Sequence, residues 1–330
     1  MRPLTPEFKL EFDSLSERLA SLSGELSHVK VDASSLRSML SSGGFEIMQT
    51  ECVPPGEGKS FLCADSSYGR LDARYHSIYC VHCVCLHAAY SESPKQDFLV
   101  GQGTINYDKL SYESIIDVGA MKPYSDVDAR VNLIRLDAEL SLLASSKASI
   151  GDADYLIVDG SLSTIKKELS SSKDYPEHAA ASKAYDDLCA LKAASMVEDS
   201  HATDVSSAIG LEITNLHLFD LALKPLEYIV KKEDGINTVY VKLPAKKVCY
   251  APGERSVPFT VRWEFSYGGF EEDLASLVGA WALEDDLLHP QVYPMRIADY
   301  LTRRVKVNGI LEEFALSNNL EGMYRARRTI

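Results

Sequence analysis

Two aspartates stand where an apolar segment of the chain gives way to small polar residues. Asp65 closes the run Phe-Leu-Cys-Ala-Asp, and Asp159 closes the run Tyr-Leu-Ile-Val-Asp. Carboxylate oxygens are the ligands that Mg²⁺ and Mn²⁺ prefer. A pair of such ions can hydrolyse a phosphodiester, one by activating water and the other by stabilising the leaving oxygen. Because a strand end holds its side chains rigidly, both aspartates are candidate ligands of a divalent metal.

Glu139 is the third candidate ligand. It follows Arg135 by four residues on a predicted helix, so both side chains project from one helix face. We expect the carboxylates of Asp65, Glu139 and Asp159 to converge at one rim of a sheet. Taken singly, each aspartate also has an ordinary explanation, because Asp-Ser and Asp-Gly often begin the turn after a strand.

The hydrophobic patterns place these residues in an α/β domain. Strands are predicted at 60–65, 77–90, 97–105 and 155–163, with a return to the sheet at 188–194 and a strand pair at 238–250 and 257–265. Helices are predicted at 127–143, 211–230, 271–283 and 295–306. The segment 161–187 is rich in Ser, Lys and Glu, which indicates a helical excursion on the surface.

The chain divides into an N-terminal helical arm at 1–50 and a single domain at 51–330. Apolar residues in the arm follow the 4-3 spacing of a coiled-coil seam, at Phe8, Phe12, Leu15, Leu19, Leu22, Leu26 and Val29. This helix either packs on the body of the protein or serves as a dimerisation or partner-docking arm. Asp32 is the expected cap of a second short helix, which ends at Gly43 and Gly44.

The net charge restricts how the chain can bind nucleic acid. It carries 34 Lys and Arg against 48 Asp and Glu, a formal net charge of −14. Binding of DNA would therefore need a local basic patch or bound metal. Two basic groups are candidates for phosphate contacts, although such groups are often solvated helix ends: Arg303, Arg304 and Lys306, and Arg325, Arg327 and Arg328.

No apolar run is long enough to cross a bilayer, so no membrane contact is expected. The N-terminal residues lack the apolar region of a signal peptide, which favours the cytoplasm.

Three of the cysteines are candidate zinc ligands. Cys80, Cys83 and Cys85 lie close together in the sequence and near several histidines. They fall, however, in a predicted strand, where alternation puts Cys80 on the opposite face from the other two. The sequence also lacks a second ligand pair at zinc-binding spacing. Structural strand cysteines are therefore favoured, with a zinc site as the lesser alternative.

The order of these motifs resembles the NurA family of archaeal DNA-repair nucleases. The first motif of that family is a strand that ends in Asp-Gly-Ser, and residues 64–69 (Ala-Asp-Ser-Ser-Tyr-Gly) match it. The next family motif is a strand that ends in Asp-Gly-Ser-Leu, and residues 158–162 (Val-Asp-Gly-Ser-Leu) match that one. Glu139 matches a helical glutamate, Lys192 is the candidate for a strand lysine, and Tyr293-Pro294 matches a motif that leads into a helix. The resemblance covers the chain from about residue 55 to about residue 310.

Two positions depart from the family pattern. Ser66 stands where the first motif has glycine, which is a mild change. Leu301 stands where the family has a histidine, eight residues after Tyr293. The flanking Asp299 and Tyr300 are the nearby polar side chains that could take its place.

The resemblance implies a fold and an activity. The fold would be a mixed sheet of RNase H-like type flanked by helices, with an N-terminal helical arm and C-terminal helices. The activity would be that of a deoxyribonuclease dependent on two Mn²⁺ or Mg²⁺ ions. Its catalytic residues would be Asp65, Glu139, Asp159, Lys192 and Tyr293, of which the three carboxylates would hold the metal.

The resemblance further implies a 5′-to-3′ exonuclease that also cuts single-stranded DNA. Such an enzyme acts on DNA ends as a homodimer with a HerA-type hexameric ATPase, in end resection and recombinational repair. The sequence contains no nucleotide-binding loop motif, which fits a nuclease driven by a separate motor. The alternative is a catalytically weak or inactive scaffold subunit that docks on the ATPase, as Leu301 suggests. A third reading is an RNase H-like nuclease for another nucleic acid.

Overall fold

The computed structural model describes residues 32–72, 76–97, 104–122, 126–150, 153–197, 200–244, 247–248, 255–256, 259–284 and 291–317. The helix predicted at 8–29 and the basic group at 325–328 lie outside the described residues. Within them, the chain forms a nine-stranded mixed sheet with helices on both faces. This is the mixed α/β architecture that the sequence predicted.

The large sheet has the strand order β1-β7-β8-β11-β6-β5-β2-β3-β4. Its strands are β1 (Met48–Gln49), β2 (Ser60–Asp72), β3 (Ser77–Gln96), β4 (Thr104–Met121), β5 (Tyr155–Asp159), β6 (Ala193–Val197), β7 (Glu227–Glu233), β8 (Ile236–Lys242) and β11 (Thr260–Phe265). A separate short pair consists of β9 (Lys247–Val248) and β10 (Arg255–Ser256).

The described helices lie between and after these strands. They are α1 (Ala33–Ser42), α2 (Val127–Ile150), α3 (Leu162–Ser171), α4 (His178–Ala190), α5 (Asp204–Ala208), α6 (Asn215–Ala222), α7 (Glu271–Leu283), α8 (Tyr293–Arg304) and α9 (Val307–Ser317). The short helix predicted after Asp32 is α1, which Gly43 follows directly.

The centre of the sheet is parallel, and its edges are antiparallel. β5 lies parallel to both β2 and β6, whereas the other neighbouring pairs run antiparallel. Parallel neighbours need a long crossover: α2 lies in the connection to β5, and α3 and α4 lie in the connection to β6. The carboxyl ends of β5 and β6 therefore meet at one edge of the sheet.

Alternate side chains of β2 pack in two separate apolar cores, one on each face of the sheet. Phe61 and Cys63 join the cluster under α7 and α8, and Leu62 and Ala64 join the cluster under α2. All four side chains are fully buried. Because both faces are covered, the central strands read as continuous apolar runs in the sequence.

The cysteines of β3 follow the same alternation. Cys83 and Cys85 pack in the α2 cluster, and Cys80 packs against α9 in a smaller cluster with Leu71 and Leu311. The sequence predicted this division between the two faces of the strand.

Several predicted element boundaries were wrong. The strand predicted at 155–163 ends at Asp159, and the return to the sheet predicted at 188–194 begins only at Ala193. β2 does not end at Asp65 but continues to Asp72, because it pairs with β3 along its whole length. Of the third strand, predicted at 97–105, residues 98–103 lie outside the described residues, and the described strand β4 spans Thr104–Met121. The helix predicted at 211–230 is the shorter α6 followed by β7, since the apolar residues near 227–230 belong to the sheet.

Gly279 on α7 marks a close approach of two chain segments. A Cβ atom at this position would lie 2.2 Å from the carbonyl oxygen of Val53. We expect Gly279→Ala to lower the free energy of unfolding by about 2 kcal/mol, because the backbone of the neighbouring segment must move.

The matched control for this substitution is Gly309→Ala on α9, where the nearest atom is 3.6 Å away. It is expected to stabilise the protein by about 0.5 kcal/mol through helix propensity. Urea unfolding of both variants measures the two effects, and equal changes in the two would contradict the close packing at Gly279.

Candidate active site

Asp65 and Asp159 lie side by side at the carboxyl end of β5. The last residues paired between β2 and β5 are Ala64 and Val158, and the two aspartates are the next residues along these parallel strands. Cys63 and Ile157, each two residues before an aspartate, face α7 and α8, so alternation along the strands directs both carboxylates to that side of the sheet. Beyond this point β2 keeps only β3 as a neighbouring strand.

Glu139 reaches the same region from the other face of the sheet. It is buried on α2, where its carboxylate accepts hydrogen bonds from the Ser66 hydroxyl and, at 2.9 Å, from Arg135. Arg135 also donates to the Ser66 hydroxyl at 2.8 Å. The serine that departs from the family motif thus ties the glutamate to β2. The prediction that Arg135 and Glu139 share one helix face is confirmed, and the two side chains form an ion pair.

The three carboxylates influence one another electrostatically. Burial, followed by the charges of Glu139 and Asp159, raises the pKa of Asp65 to about 7. Burial also raises the pKa of Glu139, with Arg135 as the main opposing influence. For Asp159, burial again raises the pKa, and the charge of Asp299 adds to the increase. Mutual repulsion of this kind is what a bound cation would relieve.

The last turn of α8 completes the surroundings of Asp65. A hydrogen bond from the Thr302 side chain lowers the pKa of Asp65, which offsets part of the increase due to burial. The same hydroxyl, almost fully buried, also lies 2.8 Å from the Ala298 carbonyl oxygen. Leu301, at the position of the family histidine, packs instead against the apolar core. The polar groups of this turn that face the carboxylates are therefore Asp299 and Thr302.

A buried histidine lies behind this turn. His82 on β3 is opposite Ser67 and is only 3% exposed. Burial lowers the pKa of His82, while a hydrogen bond with the backbone of Thr302 acts in the opposite direction. Among the described residues, its Nδ1 atom has no hydrogen-bond partner.

Tyr293 does not face the carboxylates. Its ring is buried and stacks on Tyr107, and its hydroxyl donates to Asp97 at 2.9 Å. The residue that reaches the site from this segment is Gln291, whose side-chain amide donates to Asp159 at 3.3 Å.

Lys192 lies at the opposite end of β6 from Asp159. Ala193, the next residue, is paired with Leu156 near the start of β5, whereas Asp159 is paired with Met196. Four residues of strand span about 13 Å. The Lys192 ammonium instead lies 6.0 Å from the centre of the Tyr267 ring. The structure thus places Asp65 and Asp159 on adjacent strands and Glu139 on the other face of the sheet, and it does not bring Lys192 or the Tyr293 hydroxyl to them.

The predicted basic group lies beside the site. Arg303, Arg304 and Lys306 are exposed at the end of α8 and in the turn that follows. Arg303 pairs with Asp299 at 2.6 Å, and its charge lowers the pKa of Asp159. Anionic ligands at the rim would therefore meet positive charge in an otherwise acidic protein.

The donor set fits a hard divalent cation in part. Within the described ranges, no three His, Cys, Asp or Glu side chains are grouped to hold one metal ion. Asp65 and Asp159 are adjacent oxygen donors with raised pKa values, which suits a pair of ligands with open positions for water and phosphate. Glu139 accepts hydrogen bonds from Arg135 and from Ser66, the residue after Asp65, and these contacts hold it on the other face of the sheet from this pair.

The fold is similar to that of solved NurA nucleases. The NurA nuclease from Sulfolobus solfataricus has 14% sequence identity and a TM-score of 0.57, over 92% of this chain and 98% of that one. A further NurA structure has 11% identity and a TM-score of 0.55, over 93% and 97% of the two chains. NurA with manganese has 10% identity and a TM-score of 0.54, over 92% and 98%. At these identities the likeness establishes the fold.

Neither a protein-family model nor a curated protein matches the sequence. No described helix is long and apolar enough to cross a membrane.

Proposed function

We propose that the chain is a divalent-metal-dependent DNA nuclease. The observation that carries the proposal is the pair of buried Asp65 and half-buried Asp159, held on adjacent parallel strands in a fold similar to that of NurA nucleases. Like charges help to raise the pKa values of both aspartates, and a bound cation would relieve that repulsion, while the exposed arginines beside them would face phosphate.

The proposed roles follow from the positions of the side chains. Asp65 and Asp159 would hold Mn²⁺ or Mg²⁺, with Glu139 as a further carboxylate beside them. When bound, two such ions supply an activated water and neutralise the leaving oxygen. Gln291 orients the Asp159 carboxylate through its amide. The basic group at 303–306 would contact the DNA backbone.

The finer activity follows from the resemblance to NurA. We propose 5′-to-3′ exonuclease activity on DNA ends, with cleavage of single strands in addition. The chain would act as a homodimer with a HerA-type hexameric ATPase, in end resection and recombinational repair in the cytoplasm. The alternative is an inactive subunit that docks on the ATPase, which the apolar packing of Leu301 favours.

A nuclease assay on the full chain tests the proposal. Single- and double-stranded DNA labelled at the 5′ or the 3′ end is incubated with Mn²⁺, with Mg²⁺ or with EDTA, in the presence and absence of the ATPase. We expect metal-dependent cleavage, with early release of the 5′ label. Binding of Mn²⁺ without cleavage, even with the ATPase, would favour the scaffold. Absence of both binding and cleavage would overturn the metal-site assignment.

A further inference from the structure

Glu264 on β11 lies at the centre of a buried polar cluster behind Asp159. Its side chain has no exposed surface. The carboxylate accepts hydrogen bonds from the Ser163 backbone N–H at 2.9 Å, from the Ser163 hydroxyl at 2.8 Å and from the Ser161 hydroxyl at 3.1 Å. The Arg262 guanidinium pairs with it, and the Thr238 hydroxyl lies 3.4 Å away.

The donors to Glu264 belong to the turn that follows Asp159. Gly160 adopts a φ of +85°, a conformation that glycine tolerates, and its N–H donates to the Met196 carbonyl at 3.2 Å. Ser161 then caps α3, and its hydroxyl accepts the Thr164 N–H at 3.0 Å. The residues from the candidate metal ligand to the first turn of α3 are thus fixed by hydrogen bonds.

The cluster joins this turn to a strand that does not touch β5. β6 separates β5 from β11 in the sheet, so Glu264 reaches across one strand to bind the turn. A buried carboxylate is costly unless it is fully hydrogen-bonded and paired with a cation. Glu264 meets both conditions, and the same contacts satisfy an otherwise unpaired N–H at the start of α3. The residue therefore determines where the turn can lie.

We propose that Glu264 is a positioning residue for Asp159. By fixing the turn at 160–163, it sets the direction in which the Asp159 carboxylate meets a metal ion. The metal part of this inference rests on the proposed function, whereas the part about the turn does not. Loss of such a supporting hydrogen-bond partner typically weakens metal binding by about 10- to 100-fold.

The test uses the full chain and the variants Glu264→Gln and Ser163→Ala. Glu264→Gln keeps the shape of the side chain but removes the negative charge to which Arg262 and the two serines donate hydrogen bonds. Ser163→Ala removes a single donor and is the milder change. Glu227→Gln is the matched control, because Glu227 is also a buried partner of an arginine, Arg37, but lies on β7 away from the turn.

Two readouts are measured. Hydrogen exchange of peptides that cover 159–165, in metal-free protein, is expected to accelerate by about 10-fold or more in Glu264→Gln and by less in Ser163→Ala. The Mn²⁺ dissociation constant, measured by calorimetry, is expected to rise by about 10- to 100-fold in Glu264→Gln. The control should leave both values unchanged even where it lowers the melting temperature.

One result would overturn the inference. In it, Glu264→Gln has a lower melting temperature, but its rate of hydrogen exchange at 159–165 rises no more than the rate elsewhere, and its Mn²⁺ affinity equals that of the wild type. Glu264 would then stabilise the fold without directing the turn. If the wild type itself binds no Mn²⁺, the proposed function fails, and exchange at 159–165 alone decides whether Glu264 fixes the turn. If Glu264→Gln does not fold, Ser163→Ala decides by the same exchange measurement.

Discussion

Asp65→Asn and Asp159→Asn are each expected to reduce Mn²⁺-dependent DNA cleavage by about a thousandfold or more. The amide keeps the shape of the side chain but removes the negative charge that binds the cation. Metal affinity and the activation of water both depend on that charge. The loss should appear in single-turnover cleavage of end-labelled DNA and also as loss of Mn²⁺ binding in calorimetry.

The fold of both variants is expected to survive. Each carboxylate lies at least half-buried beside like charges, so its neutralisation removes repulsion in the metal-free protein. The melting temperature without metal should stay the same or rise. Asp108→Asn on β4 is the matched control, because this aspartate pairs with Lys95 outside the site. Cleavage at the wild-type rate by both site variants would show that the metal lies elsewhere.

The sequence predicted the elements whose pattern is local. The 3.6-residue repeat predicted α2, and the apolar run before Asp159 predicted β5. These two elements, together with β2, carry the candidate carboxylates. The approach of Asp65 and Asp159 was also predictable in outline, because each closes an apolar run that the sequence places in the same sheet, although β2 continues past Asp65.

The sequence did not predict features that depend on distant partners. β2 runs past Asp65 because β3 supplies a neighbour through Asp72, and no local pattern shows how long such a hairpin persists. Lys192 matches the family lysine only by its order in the sequence. Because α4 continues to Ala190 and β6 begins only at Ala193, the lysine lies at the end of the strand away from Asp159.

The supporting residues of the site come from far along the chain. Thr302 and Asp299 are three residues apart on α8, which shows in the sequence that they share a helix face. Tertiary packing alone decides which face of α8 contacts the sheet. In the observed packing, Leu301 contacts the apolar core. Glu264 contacts a serine about a hundred positions earlier, so its role is visible only in the folded chain.

Asp65 is also expected to make the stability of the metal-free protein strongly dependent on pH. Its pKa is about 7 in the folded state and near the ordinary value of 3.8 in the unfolded chain. Between these values the folded state keeps a proton that the unfolded state has lost. The contribution of Asp65 is therefore fully present below about pH 4, and it is lost as the pH rises through 7. At 1.36 kcal/mol per unit of pKa, the loss amounts to about 4 kcal/mol.

Comparison with Asp65→Asn isolates this contribution from those of the other titrating groups. Urea unfolding of both proteins in EDTA, at intervals from pH 4 to pH 8, gives the free energy of unfolding of each. The variant is expected to gain stability relative to the wild type as the pH rises, by up to about 4 kcal/mol at pH 8. Mn²⁺ should reverse the trend for the wild type alone, since the cation binds the ionised carboxylate that high pH favours. Parallel curves for the two proteins in EDTA would mean that Asp65 titrates as an ordinary exposed carboxylate, and the electrostatic basis of the proposed site would be lost.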